Sequence, residues 1–263
     1  MASDETFSVP LNPDYGKGIL RRRILLKNKA GNVIAELEDN FHALRVVLSH
    51  DSKVVTGISA EAIRVPNNTC DGAVNLLQDL VGARFSASPR AIIGYTKRRA
   101  NCTHLYDLAV LAVSQTWRGE TRRRYDIEIP DEVKGVTTSN VRRNGQTVLR
   151  WTLKNNVIQS PRLFRGLHAV QGIRPWLEKN LEGDELEAAI TLHQGHFVAQ
   201  SRIYNLNAIA GHRLAEDTMM EGVCYAYSPG IIEKGYCLAN AVKDFTHSPE
   251  KMLHFRKTTT VKQ

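Results

Sequence analysis

What this 263-residue chain lacks narrows its function before anything it contains. No apolar run approaches the roughly 20 residues that a membrane span requires. Residues 1–13 are polar and acidic and lack the basic-then-apolar order of a secretory signal, so a cytoplasmic location is expected. Cysteine is scarce. Cys70, Cys102, Cys224 and Cys237 are too few for a disulfide framework in a chain of this length, and reduced thiols follow as the expectation. There is no Gly-rich phosphate loop, no dinucleotide-binding fingerprint and no Gly-x-Ser-x-Gly elbow, so nucleotide chemistry and ordinary hydrolase chemistry find no support.

What is present is an ordinary globular composition, 42% hydrophobic and 24% charged, with a formal charge of +8. The positive charge comes in runs: Arg21-Arg22-Arg23, Lys97-Arg98-Arg99, Arg122-Arg123-Arg124 and Arg142-Arg143. Such runs attract anions, but most read as a solvated face. No helix-turn-helix, zinc-finger or aromatic RNA-binding signature accompanies them, so nucleic acid is a third-ranked partner. A small anionic or phenolic substrate suits a few of these arginines as well.

The hydrophobic pattern predicts an α+β fold. Residues 1–18 form a loose arm. Residues 19–26, 33–37, 43–48 and 54–65 read as an antiparallel meander, with Ala30-Gly31-Asn32 and 49–52 as turns. Polar turn residues Asn67 to Asp71 lead into an apolar-periodic helix, 73–81, closed by Gly82. Ser86, Ser88 and Pro89 start a short helix, and a further helix runs from 105 to 113. Residues 119–135 are polar and contain Pro130, which predicts a linker or excursion between a first domain, 19–118, and a second α+β region, 136–263. In that region Asn144-Gly145 is the strongest hairpin signal. Trp151 faces inward on a strand. Helices follow at 173–181, 184–201 (Asp184 as N-cap, Glu187 completing a capping box) and 207–218. Residues 243–257 read as an exposed tail, and Cys237 as core.

Cys70 and Cys102 each stand at a helix start, where the backbone dipole favours a thiolate. His104 lies beside Cys102, and His42 begins the third strand at the end of the sheet to which the fourth strand returns. His42, Cys70, Cys102 and His104 therefore converge on one cleft. Two thiolates and two imidazoles suit tetrahedral zinc or iron. The same residues also serve without a metal, His42 or His104 moving protons near neutral pH. The plain structural alternative makes both thiols small buried hydrophobes. Tyr95 and Lys97 join the candidate catalytic set. Arg45, Arg98, Tyr106 and Tyr225 are candidate substrate-binding residues. His193 and His196, three apart on one helix, read as structural or supporting. A homodimer is the expected assembly.

Several segments resemble a bacterial family catalogued only as a domain of unknown function. They include Arg21-Arg22-Arg23, Ala35 to Asp39, His42, Arg45, Cys70, Leu80-Val81-Gly82, Ile93-Gly94-Tyr95 and Asn101-Cys102-Thr103-His104-Leu105. Val148 to Trp151 and Gly222 to Pro229 extend the likeness over nearly the whole chain. Departures are Asn101, where the family usually has Gly, and Tyr227-Ser228. The resemblance implies an enzyme of bacterial aromatic-compound (lignin-derived) breakdown. Its most concrete form is a cofactor-independent lyase releasing formaldehyde from a phenylcoumaran-type phenolic dimer. The first half is also distantly similar to iron–sulfur cluster assembly scaffolds, Cys70 and Cys102 matching the second and third cluster cysteines. Asn40 stands near the place of the first, and His42 near that of the scaffold's aspartate. That second likeness implies a metal- or cluster-binding accessory protein. The expectation is an enzyme without cofactor, zinc or iron being the alternative.

Overall fold

The computed structural model describes residues 9–85, 92, 95–217 and 220–257. Eight strands form one antiparallel sheet in the order β4-β3-β2-β1-β5-β6-β7-β8. They are β1 Ile19–Lys29, β2 Asn32–Asp39, β3 Ala43–His50, β4 Val55–Arg64, β5 Arg122–Pro130, β6 Val136–Arg143, β7 Gln146–Lys154 and β8 Val157–Ser160. Three α-helices are described: α1 Thr103–Arg118, α2 Ile173–Asn180 and α3 Gly183–Ala199. Helix α1 lies over β1, β2 and β3, α3 lies over β5, β6, β7 and β1, and α2 packs on α3. Fold and meander agree with the sequence reading.

The linker does not. Residues Arg122–Pro130 pair with β1 from Ile19↔Pro130 to Lys27↔Arg122. Tyr125, Ile127 and Ile129 face the helices and are buried, while the polar residues between them face away. The segment looks like a linker by composition because only every second residue is apolar, which is what a strand with one open face requires. The two meanders are thereby halves of a single sheet.

Alternation also decides what each charged residue does. On β1, Leu20, Ile24 and Leu26 belong to the core, and Arg22 stands in the same row, 2% exposed. Arg21 and Arg23 face the opposite side. There Arg21 Nε donates to the Thr246 carbonyl at 3.3 Å, and Arg23 Nη1 to that of Pro249 at 3.0 Å. Phe245, Met252 and Leu253 are buried, and the Leu253 amide donates to Glu38. Residues 243–257 are therefore a cover strapped across the far face, not an exposed tail.

Other local expectations shift. The helix after Cys70 is a run of 3-10 turns, Cys70–Leu80. The residues of the short helix beginning at Ser86 lie outside the described residues. Helix α3 is capped at Glu182, not Asp184. Asp184 instead accepts from Arg123, and Glu187 accepts from the Tyr125 hydroxyl at 2.7 Å and from Arg118. Ion pairing to buried arginines outweighs one exposed cap. The helix expected over 207–218 is replaced by two 3-10 turns, Leu206–Ile209 and Leu214–Glu216, with Thr218 outside the described residues. Asn144 and Gly145 both take positive φ, 50° and 90°, as a two-residue hairpin needs. Trp151 is fully buried.

Candidate active site

Arg22 and Asp39 are direct cross-strand partners on the helix-facing side of β1 and β2. Arg22 Nη1 donates to Asp39 Oδ2 at 2.5 Å, and neither side chain reaches solvent. The other carboxylate oxygen begins the turn into β3. It accepts from the backbone amides of Phe41 and His42, both at 2.8 Å, and from His42 Nδ1 at 3.0 Å. Burial opposes the Asp39 carboxylate, but the His42 imidazole, the Arg22 guanidinium and His104 together hold it well below the usual carboxylate range. An ionised Asp39 makes His42 Nδ1 the donor, which leaves Nε2 free to accept a proton.

His104, in the first turn of α1, stacks on His42 with ring centroids 4.0 Å apart at 53°. Its Nδ1 lies 2.9 Å from Gln194 Nε2 and 3.5 Å from Arg22 Nη2. Burial first, then the neighbouring His42 and the Arg22 guanidinium, push its pKa well below the ordinary histidine value. Arg98 forks onto Asp107, with Nε at 3.1 Å and Nη2 at 2.8 Å, and also donates to Gln194 Oε1. Arg174 Nη1 reaches Asp107 at 2.9 Å. Burial opposes the Asp107 carboxylate, yet Arg174 and Arg98 hold it far down. A mainly apolar cavity of about 20 Å³ beside these groups is lined by Ile24, Leu37, Leu108 and Val110 among others, with Arg22 and Gln194 at its polar side. It has room for one water. Arg22 Nε, buried beside it, has no hydrogen-bond partner among the described residues.

The expected set thus divides. His42 and His104 meet. Arg98 is present but acts through Gln194, its guanidinium already held by Asp107. Arg45 is on the wrong side of the sheet: Leu44 and Val46 point into the core, so Arg45 points away. It pairs with Glu36 and Glu61 and lies 5.7 Å over the Phe255 ring. Tyr95 is 41% exposed and Lys97 is exposed, its carbonyl accepting from Asn101 Nδ2 at 2.9 Å. Tyr106 is a buried core tyrosine. Tyr225 packs its hydroxyl against Gly72, where a Cβ would lie 2.5 Å from it.

The thiolate expectation is overturned. Cys70 begins its helix and Cys102 caps α1, but burial, the largest influence, pushes Cys102 up to about 11 and Cys70 further still. Desolvation exceeds what one helix end supplies. Burial raises Cys224 as well, Cys102 and Cys224 add to the rise at Cys70, and all three are protonated apolar residues at neutral pH. Among the described residues no group of three or more His, Cys, Asp or Glu is placed to hold a metal ion. The quartet His42, Cys70, Cys102 and His104 is therefore not assembled as a ligand set. Cys237 is half-buried beside a small cluster of Leu214, Ala226 and Ile232.

His193 and His196 do not pair either. His193 Nδ1 lies 2.8 Å from the Ala169 carbonyl, and His196 Nε2 lies 2.9 Å from Ser139 Oγ, its ring stacked on Trp151. Burial pushes them down to about 4 and about 3. Both sites bind protons in the unfolded chain that the folded chain refuses. Stability is therefore complete above the unfolded value near pH 6.5 and falls as pH drops toward the folded values. At pH 5.5 each histidine should cost about 1.4 kcal/mol. Urea midpoints at pH 7.5 and 5.5 measure this, and equal midpoints would refute it.

Residues missed by sequence reasoning are Arg22, Asp39, Asp107, Arg174 and Gln194. Arg22 was legible in one respect: it shares the alternation of Leu20, Ile24 and Leu26. Asp39 belongs to the polar interruption that contains His42. Residues 26–117 match a family described as a protein of unknown function, DUF2889. That stretch is shorter than the near-complete likeness expected. It contains Asp39, His42, His104 and Asp107, while Arg22 precedes it and Arg174 and Gln194 follow it. No curated protein and no solved structure matches the chain. Among the described residues no helix is long and apolar enough to cross a membrane.

Proposed function

We propose that the chain is a small-molecule enzyme working by metal-free acid–base chemistry on the imidazole pair. The observation that carries this reading is the buried Asp39–His42 hydrogen bond, with His104 stacked against the His42 ring. A carboxylate that orients an imidazole through Nδ1 is the arrangement in which Nε2 serves as a general base.

The particular reaction is release of formaldehyde from a phenylcoumaran-type phenolic dimer. His42 Nε2 takes the proton of the hydroxymethyl group. The oxygen electron pair forms the formaldehyde C=O as the carbon–carbon bond breaks. That bonding pair becomes a new C=C, and the adjacent ring C–O bond opens to a phenolate, to which the His42 imidazolium returns the proton it took. No oxidant, reductant or cofactor enters the balance. The metal-accessory reading is less favoured, since among the described residues no group of three or more His, Cys, Asp or Glu is placed to hold a metal ion. The arginine runs favour nucleic acid less than composition implied. Arg21 and Arg142 share Glu128, Arg23 and Arg124 share Asp126, and Arg123 pairs with Glu120 and Asp184.

The test is a formaldehyde assay on purified protein with phenylcoumaran dimers and with analogues lacking the hydroxymethyl group. Stoichiometric formaldehyde and stilbene phenol from the first alone are expected. No product from any hydroxymethyl-bearing phenolic dimer would sink the specific reaction.

A further inference from the structure

We infer that Arg98 and Gln194 are positioning residues that hold His104 as its Nε2–H tautomer, so that of the two stacked imidazoles His42 is protonated at Nδ1 and His104 is not. The part this plays in turnover rests on the acid–base reading above; the tautomer stands on geometry alone.

A glutamine amide offers one acceptor and one donor group. Arg98 Nη2 can only donate, so the Gln194 atom facing it is Oε1. The Gln194 atom facing His104 Nδ1 at 2.9 Å is then the NH₂ group, which can only donate. Arg22 Nη2, a second obligate donor, approaches the same nitrogen. A proton on Nδ1 would meet two donors and no acceptor. Nδ1 therefore holds the lone pair, and the ring proton sits on Nε2.

The amide cannot readily turn over, because Arg98 is itself clamped. Asp107 grips its fork, Arg174 grips Asp107, and Glu178 Oε1 accepts from Arg174 Nε at 2.8 Å. The chain runs from α2 through α1 and α3 to the imidazole. Across the stack the logic is reversed. The carboxylate of Asp39 can only accept, so His42 carries a proton on Nδ1. The two rings thus meet opposite partners at Nδ1, His42 an obligate acceptor and His104 an obligate donor.

Nitrogen-15 NMR of histidine-labelled protein at pH 7.5 tests the assignment directly. The expected wild-type result is a protonated Nε2 and bare Nδ1 at His104, and a protonated Nδ1 at His42. Gln194→Glu places an obligate acceptor at the same reach. It should move the His104 proton to Nδ1 and raise the pKa of that ring, with the His193 and His196 signals unchanged as a check on the fold. Arg98→Lys, which keeps the charge but loses the fork, should give a mixture of His104 tautomers. Protonated Nδ1 at His104 in the wild type, or an unmoved proton in a folded Gln194→Glu protein, overturns the inference. If Gln194→Glu does not fold, the wild-type spectrum and Arg98→Lys decide it. In an active enzyme Gln194→Glu should lower kcat by about 100-fold with little change in KM. The expected tautomers in a protein that turns over no dimer would leave this assignment standing and remove the reaction instead.

Discussion

Arg22→Met is expected to lower the folding free energy by about 3–5 kcal/mol at pH 7, measured by urea denaturation. Arg22 and Asp39 are buried under α1 and α3, and methionine fills much of the arginine volume. The loss therefore arises from stranding the Asp39 carboxylate in the core with only imidazoles and amides to hold it. Its acid limb has a definite sign. In the wild type Asp39 is held well below its ordinary value, so its contribution is complete above about pH 4 and is lost progressively as pH falls below that toward the folded value. Without Arg22 the carboxyl pKa rises, and this acid-side loss shrinks. Pairing the change with Asp39→Asn, which removes the stranded charge, should recover a large part of the stability. A single variant within 1 kcal/mol of wild type would show that the pair is not the buried ion pair its geometry describes.

On the proposed lyase reading, His42→Asn should lower kcat for formaldehyde release by about 10²- to 10⁴-fold, the range a positioned general base supplies. Asparagine keeps a donor for Asp39, so stability should stay within about 1 kcal/mol of wild type, unlike Arg22→Met. The separation matters, since a variant that merely unfolds says nothing about chemistry. The companion variant Asp39→Asn should also lower kcat strongly, because an amide, unlike a carboxylate, can turn its NH₂ donor toward Nδ1 and so no longer enforces the Nδ1–H form of His42. Undiminished turnover in a folded His42→Asn protein would remove His42 from the chemistry and return attention to His104 alone.

The strands, the α+β class and the Asn144-Gly145 turn were legible in the sequence because each depends on residues near one another in the chain. A period of two and a pair of positive-φ positions are local signals. His42 and His104 were legible as site residues for a related reason: each sits where an element begins, and side chains there are presented at the sheet end. What lay beyond the sequence was pairing across distance. Arg22 looked like one of three solvated arginines until β5 closed over its strand on one side and Asp39 met it on the other. Residues 119–135 looked like a linker because a one-sided strand is half polar by construction. Arg45 looked like an anion holder because the face it occupies depends on register, which a single residue type does not reveal. The thiols looked reactive because a helix start is visible in sequence and the depth of burial is not. Gln194 had no signal at all. Its role is set by Arg98 on one side and His104 on the other, 96 and 90 residues away, and only the packing of α3 beside α1 brings those three side chains within hydrogen-bond reach.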